Sequence, residues 1–407
     1  MKILIINQPL GNRGDESAHK ALVRALLKRI NDVSIRVLFV DSGEVDSIRQ
    51  FAIESDRVQY VNLHSFFKYS KFGEIAIRKP ERQFLWCVHP FTRQIKGLYD
   101  WADVVVCAPG GICMGGFQDW RHLYFLKWAQ YCKKPLAYYG RSFGPFPTET
   151  EMNRKFKKLS YEMLYYFSYL SVRDKETEKI ADEIGVQYVS TLDSAFLDNP
   201  TVDIPYEIRH SLRGKPYMVF VPNELLWHYA YKGKFSKEDL VDFYCEMIKV
   251  VWSHNPDLQI VMLPQVFGKG VEFDDIYLFR LIANRLNDDR VVVIPDCYSS
   301  DIQQSVIRNA EFVIGARYHS VVFSINQDVP FIALSYEHKI AGLIETLGIK
   351  DCMIDFRETM LSKDGQDACL KKVGCLLPII KKNPEARVKA KTIVKNGMEE
   401  FIKRFVK

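Results

Sequence analysis

The chain has no run of about 18 apolar residues, the length a helix needs to cross a bilayer, so a membrane-spanning protein is not expected. Its opening, Met1 to Asn7, is a short apolar run cut off by Gln8 and Pro9, which does not suit a secretory leader. Nine cysteines are present, but no C-x-x-C pair and no H-x-x-x-H spacing. A disulfide frame and a structural metal are therefore disfavoured, and reduced thiols in a cytosolic protein are expected. G-x-G-x-x-G and G-x-x-x-x-G-K-[ST] are also missing, so neither a dinucleotide fingerprint nor a P-loop is indicated. Charge of one sign is scarce: 56 Lys and Arg face 50 Asp and Glu, and an excess of +6 in 407 residues does not argue for nucleic acid. The segment from Lys381 to Lys407, with nine basic residues against three Glu, accounts for that whole excess.

What the sequence does have is the ordinary composition of a folded protein, 47% hydrophobic and 26% charged. At roughly 100 to 200 residues per domain its length predicts two domains. Short Val- and Ile-rich runs alternate with helical stretches from end to end, the pattern of parallel βαβ units, so the fold class is α/β. Strands are expected from Lys2, Ser34, Asp103, Leu136, Tyr169 and Gln187 in the first half, and from Tyr217, Leu258, Val291, Glu311 and Phe331 in the second. Between the halves, Asp198 to Pro205 is polar with two prolines and reads as a linker. The expected organisation is a Rossmann-like domain over 1–198, a second over 199–380, the two facing a cleft, and a basic helix over 381–407 that packs back on the first domain. Phe51 to Tyr99 shows no clear period and is read as an irregular insertion.

Chemistry is sought just beyond the strands. Gly11-Asn12-Arg13-Gly14-Asp15-Glu16 follows the first strand and opens a helix, either as an anion-binding start or as a tight turn capped by Asp15. Pro109-Gly110-Gly111 begins a stretch of four glycines in seven residues, more than packing usually asks for. Arg141 follows a third strand and either meets an anion or is solvated. Arg173 has no evident structural duty, whereas Asp174 beside it suits a helix cap. In the second half, Arg317, His319 and Ser320 fall within four residues after an apolar strand, either holding a phosphate and moving a proton at one point or, for His319, serving only as a satisfied core or surface residue. Lys339 adds a cation on the next loop.

Taken together and in order, these segments resemble the polysaccharide pyruvyl transferase family. The matching pieces are Asn12 to Glu16, Gly110-Gly111, Gly140 to Pro145, Ser171 to Asp174, Asp193-Ser194-Ala195-Phe196, Ala316 to Ser320 and Tyr336 to Lys339. Ser194 departs from the proline the family commonly carries there. The resemblance implies a two-lobed fold like that of GT-B glycosyltransferases, and transfer of pyruvate from phosphoenolpyruvate onto a sugar as a ketal. It assigns Arg173 and Arg317 to the donor and His319 to proton transfer. Ser320, Lys339, Asn12, Gly14, Asp15, Gly110, Gly111 and Arg141 are substrate-binding candidates, with the first domain on the acceptor side and the second on the donor side. Asp193 either acts on an acceptor hydroxyl or braces its loop.

The expected acceptor is a galactose-like or N-acetylmannosamine-like residue of a capsule, exopolysaccharide or wall precursor, commonly lipid-linked. No cofactor or metal is expected, phosphoenolpyruvate being a co-substrate. The expected location is the cytoplasm at the inner face of the membrane, where the basic tail, with Val388, Ile393, Val394, Phe401, Ile402 and Phe405 among its cations, is a candidate for peripheral contact. A glycosyltransferase with a nucleotide-sugar donor and a non-catalytic glycan or metabolite binder are the alternatives.

Overall fold

Strands covered on both faces must be apolar nearly along their whole length, and the central strands of this chain are: Ile3 to Ile6, Val104–Cys107, Tyr217–Val221 and Phe331 to Leu334 are buried throughout. The structure, a computed structural model, describes residues 1–9, 11–39, 52–62, 71–82, 87, 89–228, 230–267 and 274–406. Two compact units emerge. The first comprises residues 1–10, 15–198 and 391–407, the second residues 11–14 and 199–390.

In chain order the first unit's elements are β1 (Lys2–Ile6), α1 (Arg13–Arg29), β2 (Ser34–Phe39), β3 (Val58–Asn62), α2 (Lys71–Arg78), α3 (Pro90–Trp101), β4 (Val104–Cys107), α4 (Trp120–Tyr131), β5 (Leu136–Tyr138), α5 (Glu151–Tyr166), β6 (Tyr169–Val172), α6 (Lys175–Ile184) and β7 (Val189–Ser190). The second unit has α7 (Tyr206–Leu212), β8 (Tyr217–Val221), α8 (Lys237–His254), β9 (Gln259–Met262), α9 (Asp275–Leu286), β10 (Val291–Val293), α10 (Ser300–Arg308), β11 (Val313–Gly315), α11 (Tyr318–Gln327), β12 (Phe331–Ser335), α12 (His338–Leu347), β13 (Met353–Asp355) and α13 (Lys363–Leu376). Helix α14 (Pro384–Phe405) begins in the second unit and ends in the first.

Both sheets are wholly parallel. The first has the order β3-β2-β1-β4-β5-β6-β7 and the second β10-β9-β8-β11-β12-β13. Each therefore starts in the middle, winds outward through three strands, and returns to the far side of its first strand, the Rossmann arrangement. Registers are tight at the reversals, with Ile3 opposite Val104 and Val313 opposite Val219.

Two expectations are corrected. The segment from Phe51 to Tyr99 is no irregular insertion: its described residues include the edge strand β3 and helices α2 and α3, and only part of it lies outside the described residues. The separate helix expected from Lys381 starts at Pro384, and its first turns, to Ala390, belong to the second unit. Of the tail's apolar positions, Val388 is exposed and Ile393, Ile402 and Phe405 are partly buried. Val394, Met398 and Phe401 are buried, with the Phe401 ring edge-on to Tyr139 and Tyr169 at 5.6 and 5.5 Å. Tyr169 Oη donates to the Gly397 carbonyl at 2.6 Å, and Gly397 also lies close to Thr191, whose Oγ1 would stand 2.9 Å from a Cβ there. Among the described residues no helix is long and apolar enough to cross a membrane.

Two histidines in the first unit are buried without gaining an acid's company. Burial, then Lys20 and Arg24, pushes His19 down to about 3, and burial followed by Arg141 holds His122 well below the ordinary range. The unfolded chain binds these protons near pH 6.5 and the folded chain does not, so stability is complete above about 6.5 and declines as pH falls toward 3. The slope is about 1.4 kcal/mol per pH unit for each imidazole. Urea unfolding at about pH 7.5 and about pH 5 should show a lower midpoint at the acidic value, with the difference reduced in His19→Gln. Equal differences in both proteins would mean that His19 takes up its proton while folded.

Candidate active site

In an open parallel sheet, ligands bind beyond the strands' carboxyl ends where the order reverses, which in the second unit is between β8 and β11. Residues 11–14 pack here as part of the same unit. Asn12 pairs with Val266 as an isolated antiparallel bridge, the Arg13 N–H donates to the Gln265 carbonyl at 2.9 Å, and the Phe267 N–H donates to the Gly11 carbonyl at 3.2 Å. Asn12 Oδ1 accepts the Gly14 N–H at 2.7 Å. The cap of α1 is thus Asn12, and Asp15, expected as the cap, lies inside the first turn.

Arg317 is the N-cap residue of α11, whose first turn carries no acidic side chain, so helix dipole and guanidinium together favour an anion. Its Nη2 is ion-paired with Asp275 Oδ1. Burial opposes the Arg317 charge, but the Asp275 carboxylate, with Tyr336 and Tyr244, more than offsets this and raises its pKa above the ordinary arginine value. Two residues on, His319 is buried with its ring edge-on to Tyr318 at 5.1 Å. Gly14 closes one side of that ring: a Cβ at Gly14 would lie 1.8 Å from His319 Nδ1. Ser320 is fully buried and donates its hydroxyl to the Arg317 carbonyl at 2.5 Å, tight against Gly315, where a Cβ would come within 2.1 Å of Ser320 Oγ. It shapes the turn that presents Arg317, rather than reaching for solvent. Lys339, at the start of α12, lies 3.5 Å from Glu337.

Several residues at this edge were not singled out from sequence. Asp275, Gln265, Asn223 and Glu224 follow or face the ends of β8 and β9, and all are buried. Glu224 pairs with Lys237 at 2.9 Å, and Asn223 gives its carbonyl to Tyr244 Oη at 3.0 Å. Arg13 is buried with its guanidinium 4.3 Å from the Phe267 ring centre. Polar residues directly after an apolar strand were the available signal for Asn223 and Glu224; nothing local marks Asp275, 42 residues from its arginine.

The first unit's candidates are arranged differently. Arg141 is 2% exposed, neither solvated nor open to an anion. It donates to the carbonyls of Gly111 at 3.0 Å, Ala108 at 2.9 Å and Asn7 at 3.3 Å, and its Nη2 lies 2.8 Å from Cys113 Sγ. It braces the glycine loop, with Gly110 bridged to Arg141 itself. Arg173 forms a buried ion pair with Asp193, whose other oxygen accepts the Ala195 N–H at 3.0 Å. Asp193 is fully buried, so in this structure it braces its loop and balances Arg173 rather than meeting an acceptor hydroxyl. Asp174 caps α6 by accepting the Thr177 N–H at 2.9 Å. Among the described residues no three His, Cys, Asp or Glu side chains gather as a metal site would require.

Comparison with known proteins gives three results. A family model described as polysaccharide pyruvyl transferase matches residues 12–338. The amylovoran biosynthesis protein AmsJ of Erwinia amylovora is 22% identical over 393 residues, covering 88% of this chain and 89% of that protein. Among solved structures, similar folds occur in Staphylococcus aureus MnaA with UDP (TM-score 0.58, 11% identity, 100% and 98% of the two chains) and in the UDP-GlcNAc 2-epimerase of Methanocaldococcus jannaschii (0.59, 14%, 97% and 100%). The trehalose-6-phosphate synthase OtsA is also similar (0.57, 10%, 100% and 99%). At such identities these structures establish the fold alone, the GT-B-like α/β class with two parallel sheets.

The Gly14 approach is directly testable. Gly14→Ala must displace the His319 imidazole, at an overpacking cost of about 1–3 kcal/mol, in a protein that stays folded. Imidazole resonances that stay put in the folded variant would place the ring elsewhere.

Proposed function

The chain belongs to the polysaccharide pyruvyl transferase family, and from that premise we propose that it transfers pyruvate from phosphoenolpyruvate to two hydroxyls of one sugar, releasing phosphate. The observation that carries the reading is the start of α11, where Arg317 and His319 stand two residues apart on a helix N-terminus free of acidic side chains. Phosphoenolpyruvate brings a carboxylate and a phosphate, and charge-assisted contacts from arginine and lysine suit both. Arg173, which the resemblance also gives to the donor, belongs to the first unit, where it pairs with Asp193; this reading rests donor recognition on Arg317 and Lys339 of the second unit.

The chemistry balances as follows. His319 gives its proton to the vinyl carbon, and cationic character develops at the central carbon. One sugar hydroxyl attacks that carbon and loses its proton to the emptied imidazole. The second hydroxyl then displaces phosphate, which departs with the remaining proton, and the ring closes as a ketal. The acceptor in this reading is a galactose-like or N-acetylmannosamine-like residue of an exopolysaccharide, capsule or wall precursor, met in the cytoplasm; the amylovoran biosynthesis protein's name supports the exopolysaccharide class.

Phosphate release from phosphoenolpyruvate with a panel of galactosides and N-acetylmannosaminides, each product weighed for one added ketal, tests the proposal. His319→Asn is expected to lower turnover by about 100- to 10,000-fold while sparing phosphoenolpyruvate affinity. Equal turnover in that variant would remove His319 from the reaction. Turnover is also expected to survive a chelator, since each step uses side chains alone; loss that a divalent ion restores would count against the scheme. The competing reading, a glycosyltransferase with a nucleotide-sugar donor, draws on the UDP held by the similarly folded MnaA. It would prevail if no acceptor supported phosphate release and the protein bound a UDP-sugar.

A further inference from the structure

Asp275 opens α9 with its side chain fully buried, a setting in which a carboxylate needs several donors to remain charged. It has three. Oδ2 accepts the backbone N–H groups of Gln265 and Val266, each at 2.9 Å, and Oδ1 holds Arg317 Nη2. On the same guanidinium, Nε is buried and has no hydrogen-bond partner among the described residues. The β9 loop that Asp275 grips also receives Arg13 at the Gln265 carbonyl and pairs Val266 with Asn12. Gly14, which walls His319, therefore hangs from the same carboxylate two links away.

We propose that Asp275 is the positioning residue of this site. One oxygen fixes Arg317 at Nη2 alone and leaves its Nε–H to an anionic oxygen of the substrate. The other oxygen, through the β9 loop, fixes the Gly14 wall behind His319. Asp275 touches no reacting atom; it acts through these two. The choice of phosphoenolpyruvate as ligand rests on the functional reading above, and the role of Asp275 does not.

Asp275→Asn separates the two questions, because it keeps an oxygen for the backbone donors and removes the charge that holds the guanidinium. The first readout needs no substrate. Phenylglyoxal attacks an arginine that has lost its proton, so Arg317, mapped by mass spectrometry in the full chain, is expected to react several-fold faster in the variant. An unchanged rate overturns the proposal whatever the protein binds. The second readout is calorimetric binding of phosphoenolpyruvate to the wild type, Asp275→Asn, Arg317→Met and the double variant. Asp275→Asn is expected to weaken binding on the order of 10- to 100-fold alone and to add nothing once Arg317 is gone. Losses that multiply would give Asp275 a structural role only and overturn the proposal. A wild type that does not bind phosphoenolpyruvate defeats the functional reading, and the modification rates still decide on Asp275. If Asp275→Asn fails to fold, the double variant, which also removes the unpaired buried charge, is expected to fold. A double variant that stays unfolded overturns the proposal.

Discussion

Because every described strand runs parallel to its neighbours, each sheet delivers all its strand ends to one edge, and the functional groups have nowhere else to be. The hydrophobic strands allow no polar side chain along their length without a partner, so polarity collects within the first two residues that escape the sheet. Asn223 after β8, Arg317 after β11 and Tyr336 after β12 are all such residues. Where the order reverses, two of these ends stand side by side with no crossover helix between them, and a polar cluster can form. In the second unit that cluster is fixed by the buried ion pair of Arg317 with Asp275, and the first unit carries a comparable pair, Arg173 with Asp193, away from its reversal, after β6. Such pairs are weak sources of net stability, yet they leave one geometry open, because breaking either strands a buried charge.

Much of this was legible in the sequence because parallel strands buried on both faces are unbroken apolar runs. The strand starts at Tyr169, Tyr217 and Phe331 were read to the residue. What escaped notice lay at the sheet edges. β3 is half-exposed with an uneven pattern, and β13 is three residues long, so neither has the apolar run that marks a central strand. The local motifs of the site were equally legible, since Arg317 and His319 closely follow the end of β11 and Gly14 lies in the first turn of the helix after β1. Their functions divided on information the sequence does not hold, namely who stands opposite.

Arg141 illustrates this. Arginine after a strand suggested an anion or solvent, and the structure instead turns the guanidinium inward to three carbonyls of the glycine loop, a role fixed by backbone atoms that have no sequence identity. Asp193 and Arg173 were read separately, one as a possible base and one as a cation without a structural duty, and they turn out to satisfy each other. Asp275 drew no attention because its partner is 42 residues away and its remaining bonds go to main-chain N–H groups. A lone aspartate at a helix start reads as a cap wherever it occurs.

The way the chain is divided between its units also bears on the order in which it can fold. Residues 11–14 are synthesised well before their partners at Gln265, Val266 and His319, which come roughly 250 to 300 residues later. The first sheet, in turn, covers Tyr139 and Tyr169 with Phe401, which is made after both sheets are complete. Neither unit can therefore be finished while translation is still crossing the other, and each holds a gap that only a distant stretch of chain can fill. Cutting the gene at the Asp198 boundary would yield two pieces that each lack a part belonging to them, a constraint on any attempt to exchange one half for that of a relative.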